Sequence, residues 1–113
     1  MSVLDWIVFG EERIRITMEL DQLQDHIRRI YGSKDNTRGK DGTFIWLVAE
    51  VGELGEAVRL GRKGGLEEEI GDCLAWLATL ANVVGVRLED AIQKYVDVCE
   101  SCGQCPCACE GKP

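Results

Sequence analysis

The sequence predicts an all-α fold, an antiparallel bundle of about four helices with a short Cys-rich C-terminal tail. Three observations carry that expectation. Apolar residues recur at three- and four-residue spacing instead of alternating. The only prolines, Pro106 and Pro113, fall in the tail, so nothing breaks a helix before residue 99. The periodic stretches are separated by short polar or glycine-bearing connections, which favour antiparallel neighbours.

Residues 1–17 read as an N-terminal extension, with Trp6–Phe9 and Ile14–Ile16 able to form a short helix or a strand. MELDQLQ, from Met18, also resembles a natural start of a chain. A first helix is predicted from about residue 17 or 18 to Tyr31, carried by Leu20, Leu23, Ile27 and Ile30 and stopped by Gly32. The polar segment Ser33–Gly42 reads as a loop. A second helix follows over 43–60, striped by Leu47, Val51, Leu54 and Val58, and turns at Gly61–Gly65. A third is predicted over 66–84, ended by Gly85, and a fourth over 88–98. The domain division is therefore 1–17 as an extension, 18–98 as the helical domain and 99–113 as the tail.

At 113 residues the chain is one domain, and a domain of that size struggles to enclose a deep cleft alone. Its net charge of −7 argues against a phosphate-neutralising face for a nucleic acid polymer. No targeting signal is apparent, and the longest nearly apolar run, Cys73–Val86, is 14 residues, short of the ~20 that span a membrane. Clustered cysteines without such a signal suggest a cytoplasmic protein that uses them for metal or redox chemistry. The third helix is apolar almost all round, through Ile70, Cys73, Leu74, Trp76, Leu77, Leu80, Val83 and Val84. So few other elements cannot cover it, which predicts a homodimer or homotetramer.

Two pairs of acids interrupt otherwise apolar segments. Glu50 and Glu53 lie within FIWLVAEVGEL; Glu69 and Asp72 head EIGDCLAWL. Residues three apart share a helix face, and a hairpin turning at 61–65 would converge both pairs into four carboxylates. Like charges so close are costly to desolvate, and a divalent cation offsets that cost. Hard oxygen donors suit Mg²⁺ or Mn²⁺. The plain alternative is two solvated pairs, as Glu56, Glu67 and Glu68 are expected to be.

The ordered motifs Glu50-x-x-Glu53 and Glu69-x-x-Asp72, with RGKDGTFIWLVAEVGELGEAV and EEEIGDCLAWLATLANVVGVRLEDAIQKY around them, resemble the MazG-type nucleotide pyrophosphohydrolases of the all-α NTP pyrophosphatase superfamily. The resemblance spans about Met18–Tyr95. It implies hydrolysis of a nucleoside triphosphate, often a deoxy or non-standard one, to the monophosphate and pyrophosphate. It further implies that Glu50, Glu53, Glu69 and Asp72 hold Mg²⁺, with one of the first pair, Glu53 before Glu50, acting as general base through water. Arg38 and Lys94 fit the family context as phosphate contacts, with Lys34, Arg62 and Lys63 as further cations. Many relatives continue after the lysine matched by Lys94 with an asparagine and an arginine that hold substrate. Val98 and Ser101 stand at approximately those places here, which puts substrate identity in question more than hydrolysis.

Trp46 and Trp76 each lie four residues from a carboxylate, positioned to stack on a base or to pack in the core. Asn82 has the same two readings, a base edge or a buried polar contact. His26 reads as a surface residue and Cys73 as a small core residue. In the tail, Cys99-x-x-Cys102-Gly resembles a zinc knuckle that Cys107 and Cys109 would complete, with Cys105 as a possible substitute. An iron–sulfur cluster fits the spacing less well. Two functions of another class compete. One is a non-catalytic nucleotide-sensing or protein-interaction module using the tail. The other, a di-iron carboxylate bundle, needs Glu-x-x-His pairs that a lone His26 cannot supply.

Overall fold

In the computed structural model the described backbone covers residues 6–9 and 12–111, with side chains described from Arg15 onward except at residues 63 and 64. Two strands, β1 (Trp6–Phe9) and β2 (Glu12–Arg15), pair antiparallel, with Trp6 opposite Arg15 and Phe9 opposite Glu12. The extension is thus a hairpin and not a helix; any packing of its apolar side chains before Arg15 lies outside the described residues. Everything after it is helical or irregular: α1 (Leu20–Leu60), α2 (Lys63–Val84), α3 (Leu88–Ala91) and a 3₁₀ turn at Gln93–Tyr95. No helix among the described residues is long and apolar enough to cross a membrane.

Among the described residues three α-helices stand where about four were expected, and the boundaries move for identifiable reasons. Gly32 does not stop the first helix, because a helix-interior glycine costs only ~1 kcal/mol. The predicted loop Ser33–Gly42 is helical except at Gly39, whose φ of 78° and ψ of 178° kink α1 between 20–38 and 40–60. That conformation is essentially open to glycine alone. Thr37 Oγ1 donates to the Ser33 carbonyl at 3.1 Å and Arg38 Nη1 to Asp35 Oδ1 at 2.9 Å, tying the last turn before the kink. Gly61 and Gly85 do end their helices, both in the left-handed conformation. The predicted fourth helix shrinks to one turn. Ile92, Tyr95 and Val96 beyond it are exposed, and a short helix without a packed face is marginal.

Both halves of α1 run against α2, in registers offset by the kink. In the first half Gln24 reaches Val86 and Arg28 reaches Asn82; in the second Trp46 meets Trp76 and Ala57 faces Gly65. Among the described residues the core is small, built from Ile27, Ala78, Ala81 and Leu88 with Leu20, Leu23 and Ala75 packed against it. Polar groups reinforce it. Gln24 is fully buried and brackets the α2–α3 connection, its Nε2 donating to the Val86 carbonyl at 2.7 Å while Leu88 N–H donates to its Oε1 at 2.9 Å. Asn82 donates to the Gln24 carbonyl and accepts from Arg28, so its amide serves helix packing. Arg87 clasps Asp21 and Asp25. His26 is half-buried with Nδ1 3.0 Å from Arg29 Nη2.

Candidate metal and nucleotide site

The second half of α1 and the first half of α2 carry the acids. Glu50, Glu69 and Asp72 each place a carboxylate oxygen within 4.8 Å of the others, which is the reach of a single cation. Glu53 lies outside that trio, on an exposed position one turn along α1, although its charge bears on both Glu50 and Glu69. Convergence follows from the hairpin: a two-residue connection after α1 holds residue 50 against residue 72, and the i,i+3 spacing turns each pair to the shared face.

The electrostatics are those of a site short of positive charge. Burial, then Glu53 and Asp72, push the Glu50 carboxyl above the ordinary range. Burial and Glu53 raise Glu69, and burial and Glu68 raise Asp72. Glu50 Oε2 and Glu69 Oε2 are buried with no hydrogen-bond partner among the described residues. Buried acceptors left so are rare and costly. Two orphaned oxygens in a knot of carboxylates are donors of the kind a hard divalent cation takes, with water to fill its remaining positions. Cys73, half-buried beside them, has its thiol pushed up by burial and then by Glu50, which keeps it protonated and inert.

A cleft of about 310 Å³ opens beside the acids, between residues 27–38 and α2. Asp72 stands in its wall with Tyr31, Lys34, Asp35, Arg38 and Trp76. Arg38 is held in three ways. It pairs with Asp35, donates to Thr43 Oγ1 at 3.4 Å, and lies over Trp76 at 4.8 Å from the ring centroid. Gly42 makes room for it, since a Cβ there would meet Arg38 Cγ at 2.9 Å. Trp46 stacks on Trp76 at 6.0 Å between centroids, with planes 14° apart. The aromatic pair therefore forms one platform.

The residues singled out from sequence thus fall in different places. Glu50, Glu69 and Asp72 come together; Arg38, Trp76 and Asp72 share the cleft; Trp46 backs Trp76. Lys94 is drawn away to Glu100 Oε1 at 3.4 Å and the Tyr95 ring, and does not line the cleft. The side chain of Lys63 lies outside the described residues. Tyr31, Asp35 and Thr79 were missed. Asp35 is the notable one: 3% exposed, with Oδ1 on Arg38 and Oδ2 buried without a partner among the described residues. In the tail the Sγ atoms of Cys99, Cys102, Cys107 and Cys109 also lie within 4.8 Å of one another.

A helical hairpin that gathers half-buried carboxylates beside a cleft lined by arginine, lysine and tryptophan defines a class, the all-α proteins with an acidic site able to hold a metal. Within that class, the chain belongs to the MazG nucleotide pyrophosphohydrolase family, whose domain matches residues 38–101, more than half of the chain. No curated protein matches it.

Proposed function

We propose that the protein hydrolyses a nucleoside triphosphate, deoxy or non-canonical, to the monophosphate and pyrophosphate with Mg²⁺ or Mn²⁺. The observation that carries this reading is the convergence of Glu50 and Glu69 on Asp72, which stands in the wall of a cleft that also presents Arg38 and Lys34. Family membership supports it. When bound, the cation supplies charge neutralisation for phosphate oxygens and acidifies water.

The chain's own groups do the rest. Glu50, Glu69 and Asp72 would hold the cation. Glu53, exposed and outside the trio, takes the proton of the water that attacks the α-phosphorus as the α–β anhydride bond breaks. Arg38, fixed by Asp35, Thr43 and the Trp76 ring, meets the polyphosphate together with Lys34, and Trp46 stacked against Trp76 holds that ring in place.

A second copy completes the molecule in this reading. Phe44, Ile45, Ile70, Leu74 and Leu77 stay exposed in one chain, Ile45 at 67%, and a partner's helices would cover them. Sedimentation at micromolar concentration is expected to give a dimer or tetramer; a monomer contradicts this part.

The test of function is a panel of canonical, deoxy and damaged nucleotides assayed for pyrophosphate release with Mg²⁺ and with chelator. Metal-dependent release of pyrophosphate from at least one member is the expected result. Nucleotide binding without turnover across the panel would instead favour a sensing module.

A further inference from the structure

The nucleotide site leaves the tail cysteines unused. We propose that Cys99, Cys102, Cys107 and Cys109 bind one Zn²⁺ in a closed, structural tetrahedral centre that is independent of the acidic site. Cys99 Sγ and Cys109 Sγ are 3.9 Å apart, Cys102 Sγ and Cys107 Sγ 4.0 Å, and all four lie within 4.8 Å of one another. Four Zn–S bonds of about 2.3 Å in a tetrahedron set the sulfurs about 3.8 Å apart. The thiols already stand near the corners of that figure. Cys105, the fifth, is exposed and outside the group, so the structure selects a ligand set from among those the spacing allowed.

The backbone is arranged to serve thiolates. Cys99 N–H donates to the Gln104 carbonyl at 2.9 Å and Gly103 N–H to the Cys99 carbonyl at 2.8 Å, closing a tight loop over the first pair. Ala108 N–H donates to Cys102 Sγ at 3.4 Å and Cys109 N–H to Cys107 Sγ at 3.3 Å. Such bonds favour negative sulfur, and four negative sulfurs around one point need a cation. Two disulfides would draw pairs to about 2 Å and give no reason for all four to share a centre. Thiolate donors select Zn²⁺ over the hard cations suited to the acids. With four protein ligands no position stays open to substrate, so the ion is structural.

Its task follows from what surrounds it. Tyr95, Val96 and Val98 are exposed, and no regular element follows the 3₁₀ turn among the described residues. Metal binding therefore stands in for a core. It also fixes Glu100, which lies between two of the ligands and pairs with Lys94.

Full-length protein purified with zinc present and dialysed against a weak chelator is expected to retain about one zinc per chain by atomic emission. Cys102→Ser and Cys109→Ser lose it, while Cys105→Ser and Cys73→Ser keep it. Glu50→Gln also keeps it, which separates this ion from one in the acidic site. Cobalt loaded in place of zinc gives tetrahedral thiolate spectra that vanish in the same two variants. Far-UV circular dichroism of those variants retains the α1–α2 signal, so loss of metal is not loss of fold. Metal-free protein, bound iron with its visible absorbance, paired thiols by titration, or equal zinc loss in Cys105→Ser would each overturn the proposal.

Discussion

Glu50→Gln and Asp72→Asn are each expected to lower pyrophosphate release by about 10²-fold or more at saturating nucleotide and metal. The same Glu50→Gln change is expected to raise the melting temperature of the metal-free protein by a few degrees near neutral pH. The two effects share one cause. Glu50 stands within an ion's reach of Glu69 and Asp72, and its carboxyl is raised above the ordinary range by burial and by Glu53 and Asp72. A carboxyl raised in the folded state holds its proton more tightly there than in the unfolded chain. Its contribution is therefore undiminished below the unfolded value of 4.5 and is lost as pH climbs through the raised folded value. Without metal, the wild type should fall behind Glu50→Gln across that window, and Mg²⁺ added at pH 8 should restore much of the difference. Thermal melts in chelator from pH 5 to 8, beside the activity assay, check both limbs. Full activity in both variants removes the acidic site from the proposal. Unchanged metal-free stability would show that the carboxylates are solvated.

Gln24→Leu is expected to destabilise the fold by about 2–3 kcal/mol, measured by urea denaturation, because it strands buried backbone groups. The side chain is wholly buried and serves both sides of the α2–α3 connection, accepting from Leu88 N–H and donating to the Val86 carbonyl. Leucine is close in volume but answers neither. Leu88 belongs to a core of few residues, so releasing its N–H also loosens the packing against Ile27 and Ala81. In a domain this small, a loss of that size moves the melting temperature by about 10 °C or more. A loss under about 0.5 kcal/mol would mean that water replaces the amide.

Much of the hairpin was legible because its signals are local. The helical spacing through Leu47 and Leu54 and the glycine stops at 61 and 85 need only neighbours to act, whereas Val51 and Val58 of the same predicted stripe stay exposed. The acids were legible for the opposite reason, since Glu50 and Asp72 violate the apolar pattern around them. What was not legible depended on partners distant in the chain. Ser33–Arg38 looks like a loop, yet Tyr31, Lys34, Asp35 and Arg38 continue the helical face begun at Ile27, and that face lines the cleft. The spacing from Ile27 through Tyr31 to Lys34 and Arg38 was the available signal; Gly32 and the density of polar residues masked it. Lys94 could not be placed from sequence either, because its ion pair with Glu100 depends on how the tail folds. The last helix failed for want of a partner: Ile92 and Tyr95 have the right spacing but nothing to pack on.

Gly39 divides more than a helix. Lys34 and Arg38 ride on the arm before it, and Glu50 and Glu53 on the arm after it, so one backbone joint sets the distance between the cations of the cleft and the acids. From Gly39 to Glu50 the arm is about 16 Å long at 1.5 Å per residue, so a 10° change in bend displaces Glu50 by about 3 Å. The bend at that single residue thus fixes the charge separation, as a set elbow and not a free joint, because Arg38 is tied across it to Thr43 and Trp76.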